Sequence, residues 1–418
     1  MVTQTRRPQW LVAAGIILVA LTLRSAVTVV PPLVSTIDAQ LPMDAATIGL
    51  LGMLPTAAFA VFGFLTPYVI RWASLEWLAV GAMVVSTVGQ VLRVFAPTTA
   101  LFLVLSVVSL AGLGAGNVLL PPLVKKYFPT KVGLMTAIYV TALSVGTALP
   151  AQLAVPVADA TSWQLSLVLW AGVSTVALLP WLGVLASGRT PATAVAKPAA
   201  GTGPAVVVHG AGGSKAPAPK MNLWRSPVAW GLTFMFGCTS LNTYSMFAWL
   251  PEILTEAGLD RGSAGSMLAL FAALGLPMSL LIPLLAAKMA NPFPVVLVML
   301  GCFVAGYLGL LLAPATLTWL WVVLAGLGPG TFPLSLLLIN HRTRTHVGAG
   351  ALSGFSQGMG YALACSGPLL FGLLHQASGG WTLPFVFLFA TLVLLGAGAF
   401  IICRPRMLED DFKPAAAA

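Results

Sequence analysis

The chain alternates long apolar stretches with short polar punctuation. Windows bounded by charged residues, Gly or Pro fall at 10–33, 46–70, 77–96, 101–124, 132–156, 163–185, 227–254, 264–287, 294–313, 317–339, 351–374 and 382–402. Each approaches or exceeds the roughly 20 residues that an α-helix needs to cross about 30 Å of hydrocarbon. Strands of a membrane barrel would be about ten residues long with alternating polarity, so the pattern predicts helices. The expected fold is an all-α membrane protein with twelve transmembrane helices.

One stretch interrupts the series. Residues 186–226 are rich in Ala, Gly and Pro, carry five basic side chains and no acid, and show no apolar periodicity. They predict a cytoplasmic linker, mostly disordered, in which Val206 to Val208 is too short to found a strand. Six spans lie on either side, giving an N-terminal bundle over 1–185, a C-terminal bundle over 227–403 and a tail over 404–418. The sequence also repeats: Ala111-Gly-Leu-Gly-Ala-Gly116 recurs as Ala325-Gly-Leu-Gly-Pro-Gly330, an offset of 214, and Val132-Gly133 recurs as Val347-Gly348, an offset of 215. Equivalent spans then run in the same direction, which predicts a parallel repeat about an axis along the membrane normal.

Composition agrees, since 58% of the 418 residues are hydrophobic and 7% are charged, against about a quarter charged in soluble domains. Twenty Lys and Arg against ten Asp and Glu give a net charge of +10, a balance that alone would suit nucleic acid or a membrane surface. Position decides between them. With the N-terminus inside, seventeen basic residues fall in inner segments, Arg261 alone falls outside, and Arg24 and Arg93 lie within spans. The excess is a positive-inside signal that places both termini in the cytoplasm and removes the case for nucleic acid. Arg6-Arg7 before an apolar run resembles a leader, but the run continues past Arg24 to Val34 without a small-residue cleavage site, so a retained first span is expected.

The spans lack the usual reactive sets. Cys238, Cys302, Cys365 and Cys403 are at least 38 residues apart, without a metal or redox spacing. No carboxylate falls in the interior of a predicted span: Asp38, Asp44, Asp159, Glu252, Glu256 and Asp260 lie in outer loops or at outer helix ends, and Glu76, Glu409, Asp410 and Asp411 lie inside. His209, His341, His346 and His375 lie in the linker or at span ends, and no GxxxxGK[ST] phosphate loop occurs. No enzyme, metal or cofactor is expected.

Arg24 stands out against that background, near the middle of the first span. An arginine at that depth costs about 2.5–3.5 kcal/mol on insertion scales and faces a polar cavity or a partner. Its structural alternative is a helix-locking ion pair, for which the spans offer no acid. A planar guanidinium suits a small oxyanion, a cyanate-like anion or a nitro group. Arg93, three residues before Ala96-Pro97 at an outer end, is expected to snorkel to the headgroups. Thr28 in span 1, Asn117 in span 4, Tyr139 in span 5, Asn242 and Tyr244 in span 7, and Gln357 and Tyr361 in span 11 are candidate cavity-lining groups. Each could equally serve an interhelical hydrogen bond. Aligning Pro31-Pro32 with Pro251 places Thr243 or Tyr244 at the repeat-equivalent depth of Arg24. Glycines in the repeats allow close helix approach, and the prolines Pro31, Pro32, Pro121, Pro122, Pro329 and Pro333 disturb the helical ladder.

Several of these motifs together resemble a known family. They are Leu23-Arg-Ser-Ala-Val-Thr28, Gly114-Ala-Gly-Asn-Val-Leu-Leu-Pro121 with Lys125 and Phe128-Pro129, Val132-Gly-Leu-Met-Thr136, Ala248-Trp-Leu-Pro251, Phe332-Pro-Leu334, Leu352-Ser-Gly-Phe-Ser-Gln357 and Gly367-Pro-Leu369. The chain resembles the cyanate permease and 2-nitroimidazole transporter family of the major facilitator superfamily over nearly its whole length, apart from linker and tails. The resemblance implies two halves rocking around a central site, with small anions or nitro-heteroaromatics as substrates. The superfamily's charged loop between spans 2 and 3 is degraded here to Gly63-Phe-Leu-Thr-Pro-Tyr-Val-Ile-Arg71, and Arg71 with Glu76 is expected to keep part of its charge pairing.

The expected function is secondary-active transport of a small anionic or nitro-bearing organic solute in the cell (inner) membrane, by a monomer, with Arg24 as the recognition charge. The alternative is a broad exporter of neutral apolar compounds in which Arg24 serves packing. A membrane-embedded enzyme and a channel are the readings from other classes, set aside for want of a reactive set and of an open-pore pattern.

Overall fold

The computed structural model describes residues 9–69, 73–128, 130–187, 222–286 and 289–412. These are helical throughout, with no strand among them. The helical segments are α1 (Gln9–Asp38), α2 (Ala45–Val69), α3 (Leu75–Arg93), α4 (Thr99–Tyr127), α5 (Val132–Ala160) and α6 (Trp163–Ala186). After the undescribed residues 188–221 come α7 (Pro227–Glu256), α8 (Arg261–Ala286), α9 (Phe293–Leu312), α10 (Thr318–His341), α11 (His346–Ser378) and α12 (Thr382–Ile402). Nearly all of the expected linker, with Val206 to Val208, lies outside the described residues.

Ten of these segments contain stretches long and apolar enough to cross a membrane. The other two, α7 and α11, are 30 and 33 residues long but less apolar. The reason is positional: α7 is buried along most of its length and α11 packs beside it, so neither needs a wholly lipid-compatible surface. Helix starts follow local chemistry, with Ser74, Thr98, Ser162, Ser226, Asp260 and Thr345 each accepting a hydrogen bond from the backbone N–H three residues on.

The internal repeat is visible in packing. A Cβ at Gly89 of α3 would sit 2.4 Å from the Ser109 nitrogen of α4, and one at Gly306 of α9 would sit 2.4 Å from the Ala325 nitrogen of α10. The same helix pairs thus close to backbone contact in each half of the chain, as small residues permit.

One end of the bundle carries Lys126, Arg342, Arg344, Arg404 and Arg406, and the other carries Arg261 with Asp38, Asp159 and Glu256. At the Arg261 end the two halves share a single hydrophobic core, which joins Val30, Val34 and Ile48 to Phe247, Leu268 and Phe371. At the basic end α1, α3, α4, α5 and α6 keep a core of their own, around Ile16, Met83, Leu113 and Trp181. Tight contacts seal the Arg261 end: a Cβ at Gly52 of α2 would lie 2.7 Å from both Ala248 of α7 and Pro368 of α11. Gln152 of α5 donates to Ser266 of α8 at 2.9 Å, and Arg261 bridges to Asp159 at 3.3 Å.

Candidate functional site

The first segment is not one continuous helix. It comprises Gln9–Thr22, a turn at Leu23 and Arg24, a helical turn Ser25–Thr28, a 3-10 turn Pro31–Leu33 and a last piece Val34–Asp38. Pro31 and Pro32 lack the N–H groups that would continue the ladder. At the first break, Gly146 of α5 brings its backbone against α1, where even a Cβ would lie 1.9 Å from the Leu21 carbonyl oxygen. Thr22 and Ser25 return their hydroxyls to the Val19 and Thr22 carbonyls at 2.8 and 2.9 Å. Thr28 donates to the Thr147 carbonyl of α5 at 2.7 Å. Backbone broken inside a span and held by a neighbouring helix is how transporters build sites at mid-depth.

Arg24 sits in this break, half-buried, at φ −122° and ψ −2°. Its guanidinium carbon lies 5.9 Å from the centroid of the Tyr244 ring on α7. The repeat-equivalent positions of the two halves therefore face each other. Phe59 of α2 packs against Tyr244 at 6.5 Å and against Tyr361 of α11 at 6.0 Å, and Phe236 meets Tyr361 at 5.1 Å. Among the described residues Arg24 makes no ion pair with a carboxylate. The result is one cation in an aromatic enclosure, suited to an anionic or electron-rich group with a flat apolar body.

Of the candidates, Arg24 and Tyr244 face each other directly and Tyr361 joins them through Phe59. Thr28 is fully buried and its hydroxyl is committed to α5. Asn242 is fully buried, donating to the Cys238 carbonyl and to Thr391 of α12, both at 2.8 Å. Gln357 donates to Ser353 one turn away at 2.7 Å. Asn117 is half-buried on α4, and Tyr139 packs at the edge of the basic-end core.

A cavity of about 30 Å³ lies on the Arg261 side of Tyr244, between α1, α2, α4 and α7. Arg93 lines it, and here the expectation of snorkelling fails: the side chain is 1% exposed. The lipid-facing stripe of α3 is Val84, Val85, Val88 and Leu92, whereas Ser86, Gly89, Gln90 and Arg93 form the opposite, buried stripe. That spacing of three, four and seven residues is helical, so the stripe was readable before the structure as a polar face turned inward. Phe59, Phe236 and Ser106 carried no comparable signal, since isolated aromatic and hydroxyl residues abound in apolar spans.

Of the two residues expected to keep part of the inner charge pairing, Glu76 is described. Glu76 is buried and takes Lys126 of α4 at 2.6 Å, with Tyr127 donating to the same oxygen. The α3–α4 contact that places Gly89 on Ser109 also brings the ends of these helices together. Arg71 lies outside the described residues.

With this geometry in view, comparison with known proteins is informative. Residues 13–365 match the Major Facilitator Superfamily family model. The chain is 34% identical to the 2-nitroimidazole transporter of Escherichia coli (strain K12) over 400 residues, 95% of each protein. It is 27% identical to the cyanate transport protein CynX of the same organism, covering 89% of this chain and 92% of that one. Its fold is similar to that of a bacterial homolog of the human lysosomal transporter Spinster, solved in an inward-facing, unoccupied conformation, with TM-score 0.72, 15% identity and coverage of 98% and 100%. A break at mid-span, a repeat in two halves and a polar centre in an apolar bundle are thus the features of a transporter, not an enzyme, and the chain belongs to the Major Facilitator Superfamily, in its cyanate and 2-nitroimidazole transporter branch.

Proposed function

We propose that this secondary transporter moves a small anionic or nitro-bearing organic solute by alternating access, with Arg24 as the recognition charge. The observation that carries the reading is the placement of Arg24: a cation in the break of α1, facing Tyr244, with no carboxylate partner among the described residues. A nitro or cyanate group would receive charge-assisted hydrogen bonds from the guanidinium, while Phe59, Tyr244 and Tyr361 cover the apolar body. The similarity to a 2-nitroimidazole transporter and to a cyanate transport protein supports this substrate class.

In this reading all twelve segments cross the inner membrane of a bacterial cell, both termini are cytoplasmic, the monomer is the working unit, and residues 1–185 and 227–403 are the rocking halves. Asn117, Tyr139 and Gln357 approach the solute from the basic side, Thr28 holds the break, and Asn242 supports α7. An inside-negative potential favours outward movement of one negative charge by about 2.3 kcal/mol per 100 mV, so uptake of an anion needs proton co-transport or exchange.

The test is uptake of labelled cyanate and 2-nitroimidazole into proteoliposomes holding the full chain. Hydrogen bonds to a charged group contribute about 1.5–3 kcal/mol, so Arg24→Gln should lower affinity by tenfold or more, with Arg24→Lys between it and the native protein. Native transport by Arg24→Gln at matched reconstitution would support the export of neutral apolar compounds instead.

A further inference from the structure

Two buried polar residues, Arg93 and Tyr244, line one cavity. Arg93 is 1% exposed, and its Nε and Nη2 have no hydrogen-bond partner among the described residues. The phenol oxygen of Tyr244, 3% exposed, is likewise without one. Both residues line the same cavity, with Ser106 as a third polar group, and the remaining walls are apolar, from Val27, Val30, Leu51 and Phe247 among others. The Ser106 hydroxyl donates to the Phe102 carbonyl at 2.8 Å, which leaves its oxygen lone pairs rather than its proton toward other groups. The Phe102 ring lies 6.0 Å from the Arg93 guanidinium carbon and confines it on one side. Among the described residues no carboxylate pairs with Arg93.

Unpaired donors around a dry-walled space, one of them a full cation, define what it takes. A cation as guest would meet the Arg93 charge, and a neutral apolar guest would leave three donor atoms, Nε and Nη2 of Arg93 and the Tyr244 hydroxyl, unmet. A space of about 30 Å³ is two or three times what one water needs, about 10–15 Å³, and suits a planar or linear group of three or four heavy atoms. We propose that Arg93 and the Tyr244 phenol form a second anion-binding station, separate from Arg24, which receives a small inorganic anion or the charged head of the solute on the Arg261 side. Tyr244 is the shared element, with its ring 5.9 Å from the Arg24 guanidinium carbon and its side chain in the wall of the cavity that Arg93 also lines, so that an anion is handed between two guanidinium groups. The idea rests on the carrier reading above and adds a second charge to it.

Nitrate ion is the probe, titrated against chloride at fixed ionic strength into the purified full chain, with thermal unfolding as the readout. Ligand stabilisation follows free concentration relative to Kd. In Arg24→Gln a nitrate-dependent stabilisation should remain, and adding Arg93→Gln should abolish it. Arg93→Lys should weaken it about tenfold by losing the guanidinium fork, and Tyr244→Phe should weaken it several-fold; these two variants decide the matter if Arg93→Gln does not fold. Loss of all nitrate response in Arg24→Gln, or native nitrate titrations for both Arg93→Lys and Tyr244→Phe, would overturn the second station. A full response in Arg24→Gln that vanishes in Arg93→Gln would retain the station while removing Arg24 from anion recognition.

Discussion

Polar residues in a membrane bundle divide by what already holds their hydrogens. Asn242 has both amide-donor directions filled by Cys238 and Thr391 and is fully buried between α7 and α12. Interhelical hydrogen bonds of this kind contribute about 0.6 kcal/mol on average and up to about 1.7. Asn242→Ala should therefore lower stability by about that amount and leave solute affinity unchanged, as measured by thermal unfolding beside transport KM. Arg24 differs because its guanidinium meets an aromatic face and no anion among the described residues. The sequence showed that both sit at mid-span; only packing shows which one has spare donors.

The break in α1 is an element-scale feature that depends on α5. Any side chain at Gly146 would occupy the Leu21 carbonyl, 1.9 Å from the new Cβ. Since both atoms are backbone-fixed, Gly146→Ala must push the helices apart. We expect a loss of about 1–3 kcal/mol in stability and a marked loss of transport, measured on the reconstituted protein. A second element closes the basic end. The turn Leu408–Phe412 docks beneath α7 and the α10–α11 connection, with Leu408 buried and Arg344 bridged to Asp410 at 2.6 Å. The tail expected over 404–418 is thus docked over these residues, and 413–418 lie outside the described ones. Partial burial pushes the Glu409 carboxyl up, but hydrogen bonds from the Arg344 and Thr345 backbone and the Thr345 hydroxyl outweigh it and hold it below its ordinary value. A depressed carboxylate stabilises the fold above its unfolded value near pH 4.5, and that contribution disappears as pH falls through the lower folded value. Glu409→Gln should make the acid-side loss shallower in a thermal-unfolding series from pH 7 to below pH 4, the remainder belonging to other paired carboxylates such as Glu76, whereas an unchanged slope would show that the turn is held by Leu408 and Arg342 instead.

At the scale of the whole molecule, the halves are fused at the Arg261 end and keep separate cores at the basic end. The rocking proposed above would open the Gln152–Ser266 and Gly52–Pro368 contacts while closing the other side. A double variant, Gln152→Cys with Ser266→Cys, bridged by a short thiol-reactive linker, should stop transport and regain it on reduction. Transport that persists through complete cross-linking would contradict a rocking mechanism. The site's location follows from the same arrangement: α7 and α11, the long helices too polar to meet the apolar requirement, form the wall opposite the α1 break.

Periodicity and charge placement marked the helical segments and the repeat marked a two-half plan, because the cost of exposing polar backbone and charge to hydrocarbon is written residue by residue along the chain, and the sequence motifs carried the family resemblance. They also located Arg24 and matched it to Thr243 or Tyr244 through repeat alignment, and packing picked Tyr244. Tertiary structure decided the break in α1, since it arises from Gly146 on a helix over a hundred residues away. It also decided that Glu76 meets Lys126, and that Arg93 turns into a cavity instead of toward headgroups. Those outcomes depend on which face of a helix meets a neighbour; the helical spacing of Ser86, Gly89, Gln90 and Arg93 marked a polar stripe, and only packing shows the cavity that it meets.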